Sequence, residues 1–211
     1  MSANVPRDLL DLIDGRDGHF QLESGHHGEL WLDLDTLFLR PARLVPFVAD
    51  LARRLAHAVD PDAVCGPLLG GGLIASAVAT LLDVELYVAE PLARADGGGE
   101  LFRARYAVPE ETRSRLRGRR VAVLDDVMNA ASAVRATVSD VRAAGADVIA
   151  IGALLVLGSS AAGYAEREGF ELVHAAAIPN RIWEPHACPL CAAGRPLEDP
   201  GGNTPRPAGG S

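Results

Sequence analysis

The chain contains no lysine, and all 20 of its basic residues are arginine. Any step that would use a lysine ammonium must therefore use a guanidinium, which does not readily donate a proton at neutral pH. Only three cysteines are present, too few for the disulfide framework of a small secreted protein. A run of about 18 apolar residues, as a transmembrane helix needs, does not occur, and the N-terminal segment lacks the apolar centre of a signal peptide. We therefore expect a cytoplasmic protein with no membrane partner.

Positive charge is also scarce, and the formal net charge is −8 at pH 7. Proteins that bind nucleic acid in general are usually basic, so we expect no nucleic-acid partner. An arginine cluster at residues 113–120 is the exception, and we interpret it as a solvated helix end because Glu110 and Glu111 precede it. The 211 residues, 48% of them hydrophobic, fit one α/β domain with a sizeable core.

Short apolar stretches alternate with glycine-rich loops and helical patterns along the middle of the chain. Strand, glycine loop, helix and strand in succession form a βαβ unit, which is typical of a parallel sheet. We therefore predict an α/β fold with an open, mainly parallel sheet and helices on both faces. Strands are predicted at residues 62–66, 85–89, 119–124 and 147–157, and helices at residues 5–16, 41–59, 73–82 and 134–144.

Two adjacent carboxylates, Asp125 and Asp126, follow the apolar stretch 121–124, and a loop of small residues, 129–132, leads from them into a helix. Ligands of open parallel sheets bind beyond the carboxyl ends of the strands. The N–H groups of a loop entering a helix suit a phosphate, whereas carboxylates suit sugar hydroxyls or a magnesium ion. The pattern indicates a ribose-phosphate site. The alternative is a helix cap with a first-turn acid, which would stabilise the helix by about 0.5–2 kcal/mol.

Residues 121–134 resemble the phosphoribosyl-diphosphate (PRPP) motif of type I phosphoribosyltransferases, in which a hydrophobic strand and two acids precede Thr-Gly-Gly-Thr/Ser. Residues 18–33 resemble the N-terminal segment of orotate phosphoribosyltransferases, and residues 62–75 resemble the loop of that family on the diphosphate side. The resemblance implies the type I phosphoribosyltransferase fold with a small N-terminal hood. It also implies Mg²⁺ as cofactor, PRPP and a nucleobase as substrates, and a homodimer.

With this fold, four regions are expected: a hood of helix and strands over residues 1–40, a core over 41–180, a Cys-x-x-Cys tail over 181–198 and a disordered tail over 199–211. The resemblance assigns the ribose hydroxyls and magnesium to the two acids. The residues expected to bind PRPP are Asp125, Asp126, Val127, Met128, Asn129, Ala130, Ala131, Ser132, Gly66, Pro67, Gly70 and Gly71.

The chain departs from the family in the loop that would bind the 5′-phosphate, where Ala130 and Ala131 replace two glycines. Alanine costs about 1 kcal/mol or more in the left-handed region that glycine adopts freely. Residues 91–106 match the position of the family's mobile catalytic loop but lack its lysines and histidine. Arg103 and Arg105 are therefore the candidate catalytic cations, able to neutralise the leaving diphosphate.

The base site departs further, because the strand that ends near Ser159 is not followed by the arginine with which the family binds a carboxylated base. Ser24, His26 and His27 are weaker candidates for contacting a base. The two histidines also fit an ordinary surface turn.

Cys188 and Cys191 form a Cys-x-x-Cys pair, which is half of a structural zinc site with four ligands. We expect His186 as a third zinc ligand, with His174 or Cys65 as candidates for the fourth. A redox pair or a turn with free thiols is the alternative.

The leading hypothesis is an enzyme, an orotate-type phosphoribosyltransferase of pyrimidine nucleotide synthesis that moves a 5-phosphoribosyl group from Mg-PRPP to a nucleobase. Two alternatives remain open at this point. One is a non-catalytic regulator that binds PRPP or a nucleotide on the same fold, and the other is a transferase for a different base.

Overall fold

The computed structural model describes residues 9, 12–22, 24–92 and 105–200. The strands are β1 (Asp14–Gln21), β2 (His27–Asp33), β3 (Ala63–Pro67), β4 (Glu85–Pro91), β5 (Tyr106–Ala107), β6 (Arg120–Met128), β7 (Asp147–Leu157), β8 (Glu171–Ile178) and β9 (Ile182–Trp183). The α-helices are α1 (Val45–Ala58), α2 (Gly70–Leu82), α3 (Glu110–Arg113), α4 (Ser132–Ala143), α5 (Ser160–Glu168) and α6 (Pro189–Ala192).

The central sheet has the strand order β5-β4-β3-β6-β7-β8. Strands β3, β4, β6, β7 and β8 are parallel, and the short β5 is antiparallel to β4. The inner strands are apolar on both faces because both faces are covered. The predicted open, mainly parallel sheet is therefore confirmed.

Helices cover the sheet on both sides, as predicted. Val48, Leu51 and Leu55 of α1 belong to one apolar core together with residues of α2. The opposite face packs against α4 and α5, in a second core that includes Val134 and Tyr164. The carboxyl ends of the parallel strands consequently meet along one edge, and the loops into α2, α4 and α5 start there.

A second, antiparallel sheet has the order β1-β2-β9, and we call it the hood sheet. It joins the N-terminal strands to a short strand that follows β8. The predicted helix over residues 5–16 lies mostly outside the described residues; Leu9 is helical and buried. Residues 14–16 are not helical, because they pair with residues 31–33 of β2.

Among the described residues, no helix has the length and apolar character needed to cross a membrane. The division of the chain into four regions stays a prediction, and most of the expected disordered tail lies outside the described residues.

Candidate active site

The acid pair, Asp125 and Asp126, lies within β6 rather than after it, because the strand continues to Met128. The backbone N–H of Asp126 donates to Asp125 Oδ1 at 3.0 Å, and that of Val127 donates to Asp126 Oδ1 at 2.7 Å. Asp126 is only 9% exposed, and its burial raises the pKa of its carboxyl group. The acid pair is therefore held in place by its own strand.

The segment that runs from the end of β3 into the first turn of α2, residues 66–72, lies directly against the acid pair, and we call it the glycine loop. A Cβ atom on Gly70 would overlap the Asp126 carboxylate, and one on Gly71 would lie 2.8 Å from Asp125 Oδ1. The contact is possible because both residues are glycine. The first turn of α2 thus presents its backbone N–H groups on the side where the carboxylates lie.

The loop between β6 and α4, residues 129–132, contains the two alanines, and we call it the NAAS loop. Ala131 has φ = 57° and ψ = 29°, the left-handed conformation, and is buried. Ala130 has no positive φ. The expected cost of replacing glycine by alanine therefore falls on Ala131 alone. Asn129 Oδ1 accepts a hydrogen bond of 3.2 Å from Asn180 Nδ2, which ties the loop to the end of β8.

A cleft of about 200 Å³ opens beside the NAAS loop, at the carboxyl ends of β7 and β8. Arg181 borders it and forms a paired contact with Glu29, with Nε 3.0 Å from Oε1 and Nη2 2.8 Å from Oε2. The Arg181 guanidinium also lies 5.8 Å from the ring centre of Trp183. The cleft is lined by Asn129, Leu157, Gly158, Ser159, Ser160, Asn180, Arg181, Ile182 and Trp183.

Comparison with known proteins decides the family. No protein-family model matches the chain. The orotate phosphoribosyltransferase of Heliobacterium modesticaldum is 31% identical to it over 193 residues, which cover 89% of this chain and 91% of that relative. The chain belongs to the orotate phosphoribosyltransferase family. It is therefore an enzyme of the pentosyltransferase class, as the sequence predicts.

Solved structures agree on the fold of this phosphoribosyltransferase. The orotate phosphoribosyltransferase from Aeropyrum pernix matches with a TM-score of 0.62 and 23% identity over 84% of this chain and 94% of that one. The adenine phosphoribosyltransferase from Thermoanaerobacter pseudethanolicus matches with a TM-score of 0.63 and 16% identity over 82% and 99%. The type I phosphoribosyltransferase fold is confirmed, and it accommodates family members named for different bases.

The predicted PRPP-binding residues of this phosphoribosyltransferase come together at one edge of the sheet. The glycine loop touches the acid pair, and the NAAS loop follows it on the same strand. Their assignment to PRPP stays a prediction. Arg103 lies outside the described residues. Arg105 is exposed, and its carbonyl oxygen accepts the N–H of Leu92 at 2.9 Å, just beyond the carboxyl end of β4.

The three predicted base contacts lie in the hood sheet or its turn, and the lining of the cleft includes none of them. Ser24 Oγ is 3.1 Å from His26 Nδ1, and His26 Nε2 is 3.2 Å from a carboxylate oxygen of Glu184. His27 is buried against His19. Asn180 and Arg181, which do line the cleft, were not predicted. Their position after a parallel strand would have indicated them, had β8 been predicted.

The two tail cysteines lie with two histidines of the hood sheet, His19 and His27. His186, expected as the third ligand of a zinc ion, is exposed and does not belong to this group. The two residues considered for the fourth position do not belong to it either. His174 lies in β8, and Cys65 is buried in β3, where burial and the charge of Asp140 raise its pKa to about 12.

Proposed function

We propose that this phosphoribosyltransferase moves a 5-phosphoribosyl group from Mg-PRPP to a ring nitrogen of a nucleobase, in pyrimidine nucleotide synthesis. The observation that carries the proposal is the contact between the acid pair and the glycine loop. A sugar that carries phosphate groups at both ends needs two kinds of partner. Acceptors in the middle bind the sugar hydroxyls, and N–H donors on either side bind the phosphates. The acid pair and the two flanking helix N-termini supply that order of groups.

Each part of the substrate has a matching element. The Asp125 and Asp126 carboxylates accept hydrogen bonds from the ribose hydroxyls. The N–H groups at the start of α4, after the NAAS loop, bind the 5′-phosphate, and those of the glycine loop bind the diphosphate. A helix N-terminus favours an anion by about 0.3–1 kcal/mol where it is exposed.

The oxygen donors of the acid pair fit a magnesium ion, which prefers carboxylates together with phosphate oxygens and water. Asp125 and Asp126 would hold it either directly or through water. When bound, magnesium supplies positive charge that offsets the negative charge of the diphosphate.

In the reaction, the base nitrogen loses its proton to solvent and forms a bond to the anomeric carbon, while the carbon–oxygen bond to diphosphate breaks and diphosphate leaves with the electron pair. The sugar becomes cationic in the transition state, so the nearby carboxylates stabilise it electrostatically. Arg103 and Arg105 stand in the segment where the family places its catalytic loop, and their guanidinium groups neutralise the leaving charge without giving up a proton.

The cleft beside the NAAS loop is our candidate for the base pocket. Arg181 is the cation that could pair with the carboxylate of orotate. However, the Nε and Nη2 edge of its guanidinium is already paired with the Glu29 carboxylate, which offsets its charge. This pairing favours a second candidate function, transfer to a base without a carboxylate, since Arg181 would then stay neutralised.

We also propose a homodimer, on the strength of the family relationship. Several large apolar side chains are exposed on a single chain, among them Leu39, Val45 and Leu69. Light scattering after gel filtration would give the mass directly, and a mass of one chain at assay concentration would refute the dimer.

The experiment that tests the function is diphosphate release from PRPP with magnesium, measured with orotate, uracil, each purine base and no base. A double variant, Asp125→Asn with Asp126→Asn, serves as the control. Release that requires one base and is lost in the double variant supports the proposal, and that base names the substrate. Arg181→Gln should reduce turnover only if the accepted base is carboxylated.

Two results would reject the proposal. PRPP binding without release for any base would indicate a regulator on the same fold. Absence of both binding and release would mean that the NAAS loop has lost its phosphate site.

A further inference from the structure

Four potential metal ligands converge where the tail meets the hood sheet: His19 of β1, His27 of β2, and Cys188 and Cys191 of the tail. We call them the His-Cys cluster. Their ligand atoms all lie within 4.8 Å of one another. Three of the four residues are buried, and only Cys191 is exposed. The two cysteines are 3 residues apart and the two histidines 8, whereas His19 and Cys191 are 172 residues apart in the chain.

Four of the six distances between the ligand atoms are close to those of a tetrahedral site. His19 Nε2 lies 3.2 Å from His27 Nδ1, 3.4 Å from Cys188 Sγ and 3.7 Å from Cys191 Sγ. Cys191 Sγ lies 3.2 Å from His27 Nδ1. Around a tetrahedral zinc ion with ordinary Zn–N and Zn–S bonds, neighbouring ligand atoms are about 3.3–3.8 Å apart. At these four distances a zinc ion fits with shifts of a few tenths of an ångström, and the remaining two distances are within 4.8 Å.

The orientation of His19 also suits a metal ligand. Its Nδ1 lies 2.9 Å from the carbonyl oxygen of Arg195. A carbonyl oxygen can only accept a hydrogen bond, so Nδ1 carries the proton and donates it. The lone pair is then on Nε2, the atom that faces the two sulfurs. A backbone carbonyl that fixes the ring in this way is one of the usual second partners of a histidine bound to zinc.

The surroundings of the cysteines point the same way. The sulfurs are not joined in a disulfide. Cys188 precedes α6 and Cys191 lies within it, a tight turn that brings both thiols to the histidines. The cluster brings two imidazoles and two thiols together, mostly removed from water. Several of their lone pairs point towards the same place. A cation among them would satisfy all four at once.

We propose that the His-Cys cluster is a structural zinc site, with His19, His27, Cys188 and Cys191 as its four ligands. All four tetrahedral positions are filled by side chains, which is typical of a structural ion and leaves no place for a substrate. The site is separate from the candidate active site and does not depend on the proposed transferase function.

The ion would fasten the tail to the hood sheet. The same tail segment already pairs with β1, since Gln21 N–H donates to the Glu198 carbonyl and Glu198 N–H donates to the His19 carbonyl, both at 2.8 Å. His27 also pairs with Trp183 of β9, which lines the cleft. Zinc would thus hold one wall of the candidate base pocket in place.

The test is elemental analysis of the full, untagged chain purified without chelator, together with cobalt substitution. We expect about one zinc ion per chain. Chelated chain that is refilled with Co²⁺ should show the strong visible bands of tetrahedral cobalt and a thiolate charge-transfer band. Hydrogen exchange in β1 and β2 should speed up when zinc is removed, while exchange in β6 stays unchanged.

Variants then identify the ligands. Cys191→Ser changes the exposed ligand and should weaken zinc binding at least about 100-fold. His186→Gln is the matched control, because His186 lies two residues before Cys188 and outside the cluster; it should keep its zinc. Three results would overturn the proposal. The purified chain could contain no zinc and bind cobalt only with an octahedral spectrum, it could contain a Cys188–Cys191 disulfide, or the two variants could lose zinc equally. The cobalt spectrum of the unaltered chain decides the matter even if Cys191→Ser fails to fold.

Discussion

Two loops leave neighbouring strands and enter helices at the same edge of the sheet, and they need glycine for different reasons. In the glycine loop, Gly70 and Gly71 allow the acid pair to touch the backbone of α2. In the NAAS loop the demand is conformational, because residue 131 is left-handed. The first loop keeps its glycines, and the second has an alanine at the demanding position. Close contact with a charged group therefore tolerates no Cβ, whereas an unfavourable φ angle is tolerated at a modest cost.

The largest expected effect comes from Gly70→Ala. Its new Cβ would overlap the Asp126 carboxylate, so either the acid or the first turn of α2 must move. We expect a loss of about 1–3 kcal/mol in the free energy of unfolding, as for overpacked cores. Displacement of the acid pair should reduce turnover about 100-fold. Urea unfolding and the diphosphate-release assay would measure the two effects.

Gly72→Ala is the matched control, two residues further along the same turn. Its Cβ would lie 3.3 Å from the flexible side chain of Leu68 and 3.4 Å from Val88. These side chains can move aside, and alanine favours the helix. The free energy of unfolding should therefore stay within about 1 kcal/mol of that of the unaltered chain. If both variants reduced stability equally, the need for glycine would come from the geometry of the helix start in general rather than from contact with the acid pair.

An intermediate effect is expected for Asp126→Asn, which removes the buried charge. The pKa of Asp126 is raised by burial, so the folded state holds this proton more tightly than the unfolded state does. The stabilising contribution of the Asp126 carboxyl group is therefore largest at low pH. It is lost as the pH rises from the pKa of the unfolded state, near 4, through the pKa of the folded state. Asp126→Asn should consequently be more stable at pH 7, by on the order of 1 kcal/mol, while losing PRPP turnover.

Thermal unfolding at several pH values would follow this difference. The advantage of the Asp126→Asn variant should shrink as pH falls towards 4 and level off at high pH. Asp125→Asn is the companion variant, since Asp125 is less buried. A variant that is less stable than the unaltered chain at pH 7 would show that the charge assistance of the hydrogen bond from Val127, rather than desolvation, dominates at this carboxylate.

The sequence predicts much of this edge of the sheet, because its signals are local. The apolar stretch before the acid pair, the glycines before α2 and the alanines of the NAAS loop each lie within a few residues of the feature they specify. The predicted end of β6 is less accurate. The apolar pattern ends at Leu124, but the pairing of β6 with β7 continues past the acids to Met128.

Features that depend on distant parts of the chain were missed. His19 and Cys188 are 169 residues apart, and no spacing rule joins them. Their contact follows from pairing of the tail with β1, which is a tertiary event. Arg181 was missed for a related reason: β8 is half-buried and polar at His174, so its apolar signal is weak. The hood sheet and the cleft therefore required the structure.

The smallest effect expected is that of Ala131→Gly, and it tests the second half of the comparison. Residue 131 has φ = 57°, which costs alanine about 1–2 kcal/mol and costs glycine little. Glycine also increases the entropy of the unfolded chain, which offsets about 0.4–1 kcal/mol of that gain. We therefore expect a net stabilisation of about 0.5 kcal/mol in urea unfolding.

Ala130→Gly separates strain from a general effect of glycine in the NAAS loop. Residue 130 has no positive φ, so glycine there relieves nothing and should destabilise by up to about 1 kcal/mol through the unfolded state. The difference between the two neighbouring variants, about 1 kcal/mol, is more reliable than either value alone, because the change in composition is identical. Equal destabilisation by both would mean that the buried methyl group of Ala131 contributes more by packing than its backbone loses by strain. Replacing the family's glycine by alanine would then be an adaptation of this loop to its core rather than a tolerated cost.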